Sequence, residues 1–426
     1  MTGAGRHRGE DPLIAAVRGG DVETVSALLA AGADPDAVDE HGTPALCLAV
    51  DAFDLPVIEE LRMADRPVRL NCVDADGRTP LLRAVDRGAC EITSVLVSAG
   101  ADLWRADPEG RDALALARHW HLAGAEAELR RRTGASEPVV RRAVLDGWGD
   151  ACEELSLGGL TVRNGHSAIL TELEPKYGIT PSFEELMARA LVEPDVDQPV
   201  WVATTLVLQA RPAPAVWAEA AALRDRADPL ERYCGAEVLR LINLFAESDD
   251  SADTADGPFD KPLVDLFLPW AAREEDARVM RALTAGLAGA MDPRAERPLP
   301  QLTRHHDPEV RRWALSGLHR AVTTGDPEAL AILVTCTRDA DARVRAEACR
   351  VLGEAPKDSA VPPDALAACL NDEDEAVRVA AAIPLFLRDD PRGDQVLRDL
   401  GPVEEDSPHF AAFHAVWYHH RALHPA

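Results

Sequence analysis

The chain has 426 residues, 46% of them hydrophobic but only 4% aromatic, and carries a net charge of −28 at pH 7. That length exceeds what one compact core organises, so more than one folding unit is expected. Such an excess of negative charge repels phosphate backbones and anionic headgroups, which argues against nucleic acid as the main partner and against a membrane surface.

Among the 45 basic residues only Lys176, Lys261 and Lys357 are lysine, a bias that fits a GC-rich, bacterial source. Eight cysteines stand singly, without a Cys-x-x-Cys pair, so buried free thiols are expected rather than a zinc knuckle or a disulfide framework. The opening MTGAGRHRGEDP has no apolar signal core and no stretch is long enough to span a bilayer, so a cytoplasmic location is expected.

In chain order, three segments starting at Asp11, Glu40 and Ala75, and a shorter fourth from Pro108, share one frame of about 33 residues. Thr43-Pro44 and Thr79-Pro80 have the form of a hydroxyl cap followed by proline in the first helical turn, where no amide hydrogen is missed. Gly32 and Gly100, each followed by Ala-Asp, suit the left-handed residue that ends a helix, and Ala16, Ala84 and Ala117 are small enough for neighbouring repeats to stack. These features resemble ankyrin repeats over residues 10–132, the first and fourth units serving as caps. From Thr43 to Thr79 there are 36 residues, so a bulged or lengthened helix is expected in the second repeat. The resemblance implies binding of other proteins through the turn tips and the face of the first helices. Carried onto this chain, the tips give Asp39, Glu40, His41, Asp74, Asp76, Asp107 and Glu109 as protein-binding candidates. Trp104 joins them as an anchor, unless it packs on the next repeat. The triplet Arg130-Arg131-Arg132 closes a helix, where positive charge favours the negative end of the dipole.

Residues 133–180 read as a connecting segment. Within 155–178, which fits neither repeat type, Leu160, Val162, Ala168 and Leu170 around Asn164-Gly165 give either a short hairpin or an irregular helix–loop crossover. From 181 to 426, with helices starting as early as 137, the pattern becomes an aspartate followed by Val-Arg. Val310, Val344 and Val377 are spaced by 34 and 33 residues, and apolar or small residues follow each at +4, +5 and +8, one buried helical stripe. Asp307, Asp341 and Asp374 suit helix caps, and Arg311, Arg345 and Arg378 recur in step as links between neighbours. These units are similar to HEAT repeats. Weaker units start at Glu137, Asp197, Asp228 and Asp276; second helices are expected at 213–225, 260–272, 294–304, 327–338, 362–371 and 391–400, with a kink at Pro384. The stretch 247–258 is a polar acidic loop, and Phe410, Phe413, Val416 and Trp417 form an end cap.

Phosphate-cradling loops and nucleophile elbows are absent from the sequence, and the histidines at 119, 121, 305, 306 and 409–424 lack a metal-binding spacing with a completing ligand. The expected fold is therefore all-α: two helical solenoids in series, ankyrin then HEAT-like. The expected function is a non-catalytic scaffold or adaptor, without cofactor or metal, whose acidic concave surface binds a protein partner. Its sharper form neutralises a basic protein, as immunity proteins do; a HEAT-like enzyme of the DNA-base glycosylase or chromophore lyase type is the alternative.

Overall fold

A computed structural model describes residues 11–246, 259–359 and 361–399, and the chain divides between Arg211 and Pro212 into two compact units. The acidic loop at 247–258 and the end cap built on Phe410, Phe413, Val416 and Trp417 lie outside the described residues. Among the described residues there are 23 α-helices and one three-stranded sheet. None of these helices is long and apolar enough to cross a membrane.

The first unit begins with four helix pairs: α1 (Pro12–Gly19) and α2 (Val22–Ala30), α3 (Ala45–Asp51) and α4 (Leu55–Met63), α5 (Pro80–Arg87) and α6 (Cys90–Ser98), α7 (Ala113–Ala123) and α8 (Ala125–Thr133). Asp11 caps α1 by accepting the Leu13 amide at 2.9 Å, and the Thr79 hydroxyl caps α5 through the Leu82 amide at 3.2 Å. Gly32 and Gly100 take the left-handed conformation after α2 and α6. The second repeat departs from the expectation drawn for it. Its first helix is not lengthened: α3 has seven residues against eight in α1 and α5. Pro44 stays extended before the helix, bridged to Val38, so Thr43 caps nothing. The inserted residue is taken up before the helix, where Pro44 stays extended: from Ala45 the chain reaches Phe53 in the same number of steps as from Pro80 to Gly88, and Phe53 takes the left-handed position that glycine holds in the neighbouring repeats. Its ring lies 4.2 Å beneath the Arg163 guanidinium, a contact that offsets part of the backbone cost.

Residues 137–145 are not helical, contrary to the early start expected for the HEAT-like region. β1 (Val140–Leu145), β2 (Ala151–Leu157) and β3 (Leu160–Arg163) form an antiparallel sheet in the order β1-β2-β3. Alternation of side chains to both faces suits Val-Arg-Arg-Ala-Val-Leu to a strand, whereas the repeat frame demanded a one-sided stripe. The hairpin turn is Gly158-Gly159, both residues at positive φ (56° and 81°), which fits a two-residue connection. Asn164-Gly165, the turn read from the sequence, instead carries the ladder from Glu153 into α9 (His166–Lys176). α10 (Phe183–Ala190) and α11 (Pro199–Gln209) complete the unit. One apolar core runs from Leu13 through Leu82, Ile92 and Leu116 to Leu155, Val162 and Leu173, so sheet and repeats fold on each other.

The second unit contains α12 (Ala213–Ala222), α13 (Pro229–Phe245), α14 (Asp260–Ala271), α15 (Ala277–Gly289), α16 (Leu299–Leu302), α17 (Pro308–Ser316), α18 (His319–Thr323), α19 (Pro327–Cys336), α20 (Ala342–Leu352), α21 (Val361–Cys369), α22 (Glu375–Phe386) and α23 (Asp394–Asp399). α13, α15, α17, α20 and α22 pack on one another in succession. Asp307, Asp341 and Asp374 cap their helices, and Val310, Val344 and Val377 with their +4, +5 and +8 partners are all buried. The helix expected at 294–304 is reduced to a 3-10 turn at Pro293–Glu296 and the single turn α16, because Pro293, Pro298 and Pro300 remove the amides a longer helix needs. At 391–400 a 3-10 turn, Pro391–Gly393, precedes α23. α22 runs through Pro384 to Phe386.

The recurring arginines link repeats. Arg311 donates to Asp339 at 2.8 and 2.7 Å and to the His305 and His306 carbonyls. Arg345 repeats the arrangement on Asp372, at 2.8 Å twice, and on the Asp339 and Ala340 carbonyls. Arg281 reaches Asp307 in the same way. These planar, two-pronged pairs fix the step between neighbours as well as neutralising buried charge.

Candidate functional site

Each turn tip of the first array is built on one aspartate. Asp39 Oδ1 accepts the His41 and Thr43 amides at 2.9 and 2.8 Å, Asp74 those of Asp76 and Arg78 at 2.8 and 2.9 Å, and Asp107 that of Arg111 at 2.8 Å. Burial opposes ionisation of Asp39 and Asp107, but the amides and the arginines at positions 18 and 111 outweigh it and hold both carboxyls below the ordinary range. These three candidates therefore face inward and shape the turns. Glu40, His41, Asp76 and Glu109 face outward and are exposed. Trp104 is 65% exposed, and rather than packing on the next repeat it sits 4.3 Å from the ring of Tyr177, whose hydroxyl donates to the Leu103 carbonyl.

A cleft of about 480 Å³ opens between the first helices and the tips. It brings together two of the candidates, Asp76 and Glu109, with Asp51, Asp86, Arg78, Arg83, Arg87, Arg132, Pro108 and Leu160; Glu40, His41 and Trp104 lie elsewhere. Four arginines match four carboxylates, so this cleft is charge-mixed, and the expectation of an acidic concave surface does not describe it. Arg83 bridges Asp51 and Asp74, and Arg87 joins Asp51 at 3.3 Å to the Thr161 carbonyl at 2.9 Å. The positions Arg83, Asp86 and Arg87 lie on one face of α5 by helical spacing, a signal that sequence reading could have used.

Behind the cleft lies a buried stack. Asp86 accepts two bonds from Arg132, both 2.7 Å, one from Arg78 at 2.8 Å and one from the Trp120 indole at 2.9 Å. Burial alone would raise the Asp86 carboxyl, yet these donors hold it at about 2. Arg132 covers the Trp120 ring at 4.5 Å, and His166 stacks on it at 4.3 Å and 13° with Nε2 at 3.3 Å from the Asp86 carbonyl. Burial pushes the imidazole down to about 4. Thus Arg132 does more than close a helix: it ties α8 to α5.

Arginine, tryptophan and aspartate at the centre of one cleft are the ingredients of the glycosylase reading, but their placement removes them from such chemistry. Trp120 is 1% exposed and cannot stack on a base, and Asp86 is ionised and engaged by every donor around it. Cys90, Ser94 and Glu172 come closest to a nucleophile set, with Ser94 donating to Glu172 at 2.5 Å and Cys90 at 3.4 Å. Burial and the adjacent carboxylate raise the Cys90 thiol well above its ordinary value, which keeps it an unreactive thiol. His119 and His121 diverge, to Glu128 at 3.1 Å and Ser167 at 2.8 Å. His305 accepts the Asp307 amide; His409 to His424 lie outside the described residues. Among the described residues no three histidine, cysteine or carboxylate side chains are grouped to hold a metal.

The family description "HEAT repeats" matches residues 264–346 and 335–415, and "Ankyrin repeat" matches residues 8–40. An E3 ubiquitin-protein ligase of Arabidopsis thaliana, KEG, is 38% identical over 110 residues, covering 26% of this chain and 6% of the ligase. The chain carries ankyrin and HEAT repeats in series.

Proposed function

We propose that the protein is a non-catalytic scaffold whose ankyrin array engages a basic protein partner through its outward tips. Repeat arrays of both kinds support protein interaction in general, because stacked units present many side chains on a preorganised surface. The observation that carries the finer reading is the row of exposed acids Glu40, Asp76 and Glu109, each on a turn pinned by an inward aspartate, with the exposed Trp104 behind the third tip. Preorganised carboxylates speed encounter with a cationic surface, and an aromatic supplies the apolar anchor. A secreted toxin or nuclease neutralised by complex formation has the required chemistry, and the cytoplasm suits such a complex.

The test starts from proteins that co-purify with the full chain from its host. For a partner so found, Trp104→Ala should weaken affinity about tenfold. Reversing Glu40, Asp76 and Glu109 to lysine together should abolish measurable binding. Affinity should also fall steeply between about 0.05 M and about 0.3 M salt. A flat salt response, with tip variants binding as the unaltered chain does, would sink the reading.

A further inference from the structure

The small sheet has two edges, and the fold treats them differently. At β3, Arg87 donates to the Thr161 carbonyl at 2.9 Å, and an added Cβ at Gly88 would lie 2.2 Å from the Arg163 carbonyl, so α5 covers that edge. Among the described residues β1 pairs with β2 alone, in an unbroken register from Val140 opposite Ser156 to Leu145 opposite Ala151. Asp146 closes this hairpin by donating its amide to the Asp150 carbonyl at 2.8 Å. Backbone groups alternate along an antiparallel strand, so Val144, Arg142 and Val140 bond to β2 while the amides and carbonyls of Arg141, Ala143 and Leu145 point outward. The Glu153 carbonyl, opposite Ala143, accordingly turns to the other side of β2 and accepts the Asn164 amide at 3.0 Å.

Edge strands are ordinarily blunted by a bulge, a proline or a charge held over the edge. β1 has no bulge, and its charges are withdrawn: Arg141 reaches back to Glu153 at 2.7 Å and Glu126 at 3.1 Å, and Arg142 to Glu154 at 2.6 Å. Val140 and Leu145 stay 65% and 67% exposed, and Trp148, in the turn of the hairpin, is exposed as well. One edge of the sheet is thus closed by α5 and the other is open and apolar.

The open strand is complementary to itself. When it pairs antiparallel with an identical strand, outward residues must face outward residues, which leaves centres at Arg142, Ala143 or Val144 if most of β1 is to pair. A centre at Arg142 opposes two like charges, and one at Val144 runs Arg141 past the strand to face Gly147. Centring on Ala143 pairs all three outward residues. Ala143 then faces its own copy across a two-fold axis, Arg141 faces Leu145, and Arg142 faces Val144 with Asp146 of the second copy diagonal to it. The arginine stems cover apolar side chains, each Arg142 meets an acid, and the smallest side chain lies on the axis.

We propose that β1 is a self-association edge, on which a second copy of this chain adds its own β1 antiparallel, with Ala143 on the two-fold axis. One strand pair buries less than the roughly 1,200 Å² of a standard interface, so the dimer is weak and dissociates at about 10–100 µM.

Sedimentation velocity of the full-length protein tests this, in about 0.3 M salt to screen the repulsion between two chains of net charge −28. Between about 1 µM and about 300 µM the protein should pass from monomer to dimer. Ala143→Pro removes an outward amide and no bond to β2, so it should weaken association about tenfold or more while urea unfolding stays nearly unchanged. Under mild oxidation Ala143→Cys should crosslink to its own copy about tenfold faster than Val140→Cys. The axis brings the two 143 positions to about 5.5 Å and leaves the two 140 positions about 20 Å apart. Leu122→Arg, exposed on α7, should change nothing. A chain that stays monomeric over this range, even one whose edge takes an extended peptide of another protein, overturns the proposal. So does a dimer indifferent to Ala143→Pro, or equal crosslinking at the two positions.

Discussion

Acidification should weaken the first unit chiefly through His166; burial lowers the His121 imidazole as well, which adds to the loss, and raises the Glu91 and Glu172 carboxyls, which opposes it. The His166 ring is 4% exposed, stacked on Trp120 and placed against the Asp86 carbonyl, with the Arg132 cation close by. Burial lowers its pKa from 6.5 to about 4. A histidine lowered on folding stabilises the folded chain while neutral; that contribution is complete above its unfolded value of 6.5 and is lost as pH falls toward 4. With 1.36 kcal/mol per pH unit, the loss between pH 7 and pH 5 comes to about 2 kcal/mol. Carboxylates held low in the folded state, such as Asp86 at about 2, contribute their own loss only at more acid pH, below 3.8. Urea unfolding of the full chain, followed by tryptophan fluorescence at closely spaced pH values, measures the slope. His166→Gln keeps an amide donor for the Asp86 carbonyl but cannot titrate, so it should remove about 2 kcal/mol of the change between pH 7 and pH 5 while lowering stability at pH 7. An unaltered chain whose stability is constant over that interval, or a variant with the same slope, would refute the assignment.

Two further predictions concern stability alone. Gly88 has φ 66°, and an added Cβ would lie 2.2 Å from the Arg163 carbonyl, so Gly88→Ala should cost about 3 kcal/mol in denaturant titration. Gly100→Ala, at φ 93° but with open space around it, should cost only about 1 kcal/mol, and equal costs would show that the approach of β3 to α5 is unimportant. Asp372→Ala strands the buried Arg345 guanidinium and should cost about 3 kcal/mol, whereas Asp364→Ala, at the exposed Arg392 pair, should cost less than about 1 kcal/mol. Thermal unfolding compares the two, and similar midpoints would remove the ladder from the forces that hold the repeats together.

Local signals carried the helical hairpins, caps and ladder into the sequence. A capping aspartate acts on an amide two or three residues away, a buried stripe recurs every turn, and Arg311 or Arg345 recurs at the spacing of the repeat itself, so each is visible without coordinates. Even there the inserted residue of the second repeat was legible only as a count; that it leaves Pro44 extended before α3 and does not lengthen the helix is visible only in the fold. The sheet was half legible. Gly158-Gly159 is a hairpin turn by its own chemistry, but Val140–Leu145 satisfies a degenerate pattern that a repeat frame also accepts, and only pairing with β2 chose the strand. The cleft was decided entirely by tertiary structure. Asp86 meets Arg132 46 residues away, and His166 meets the Asp86 carbonyl 80 residues away. Nothing in the local sequence fixes which charges will be desolvated together, because that depends on how separate helices close over one another. The sequence alone determined the repeats and the turn aspartates; the folded core decided which of their side chains face solvent and which are buried in its charge network.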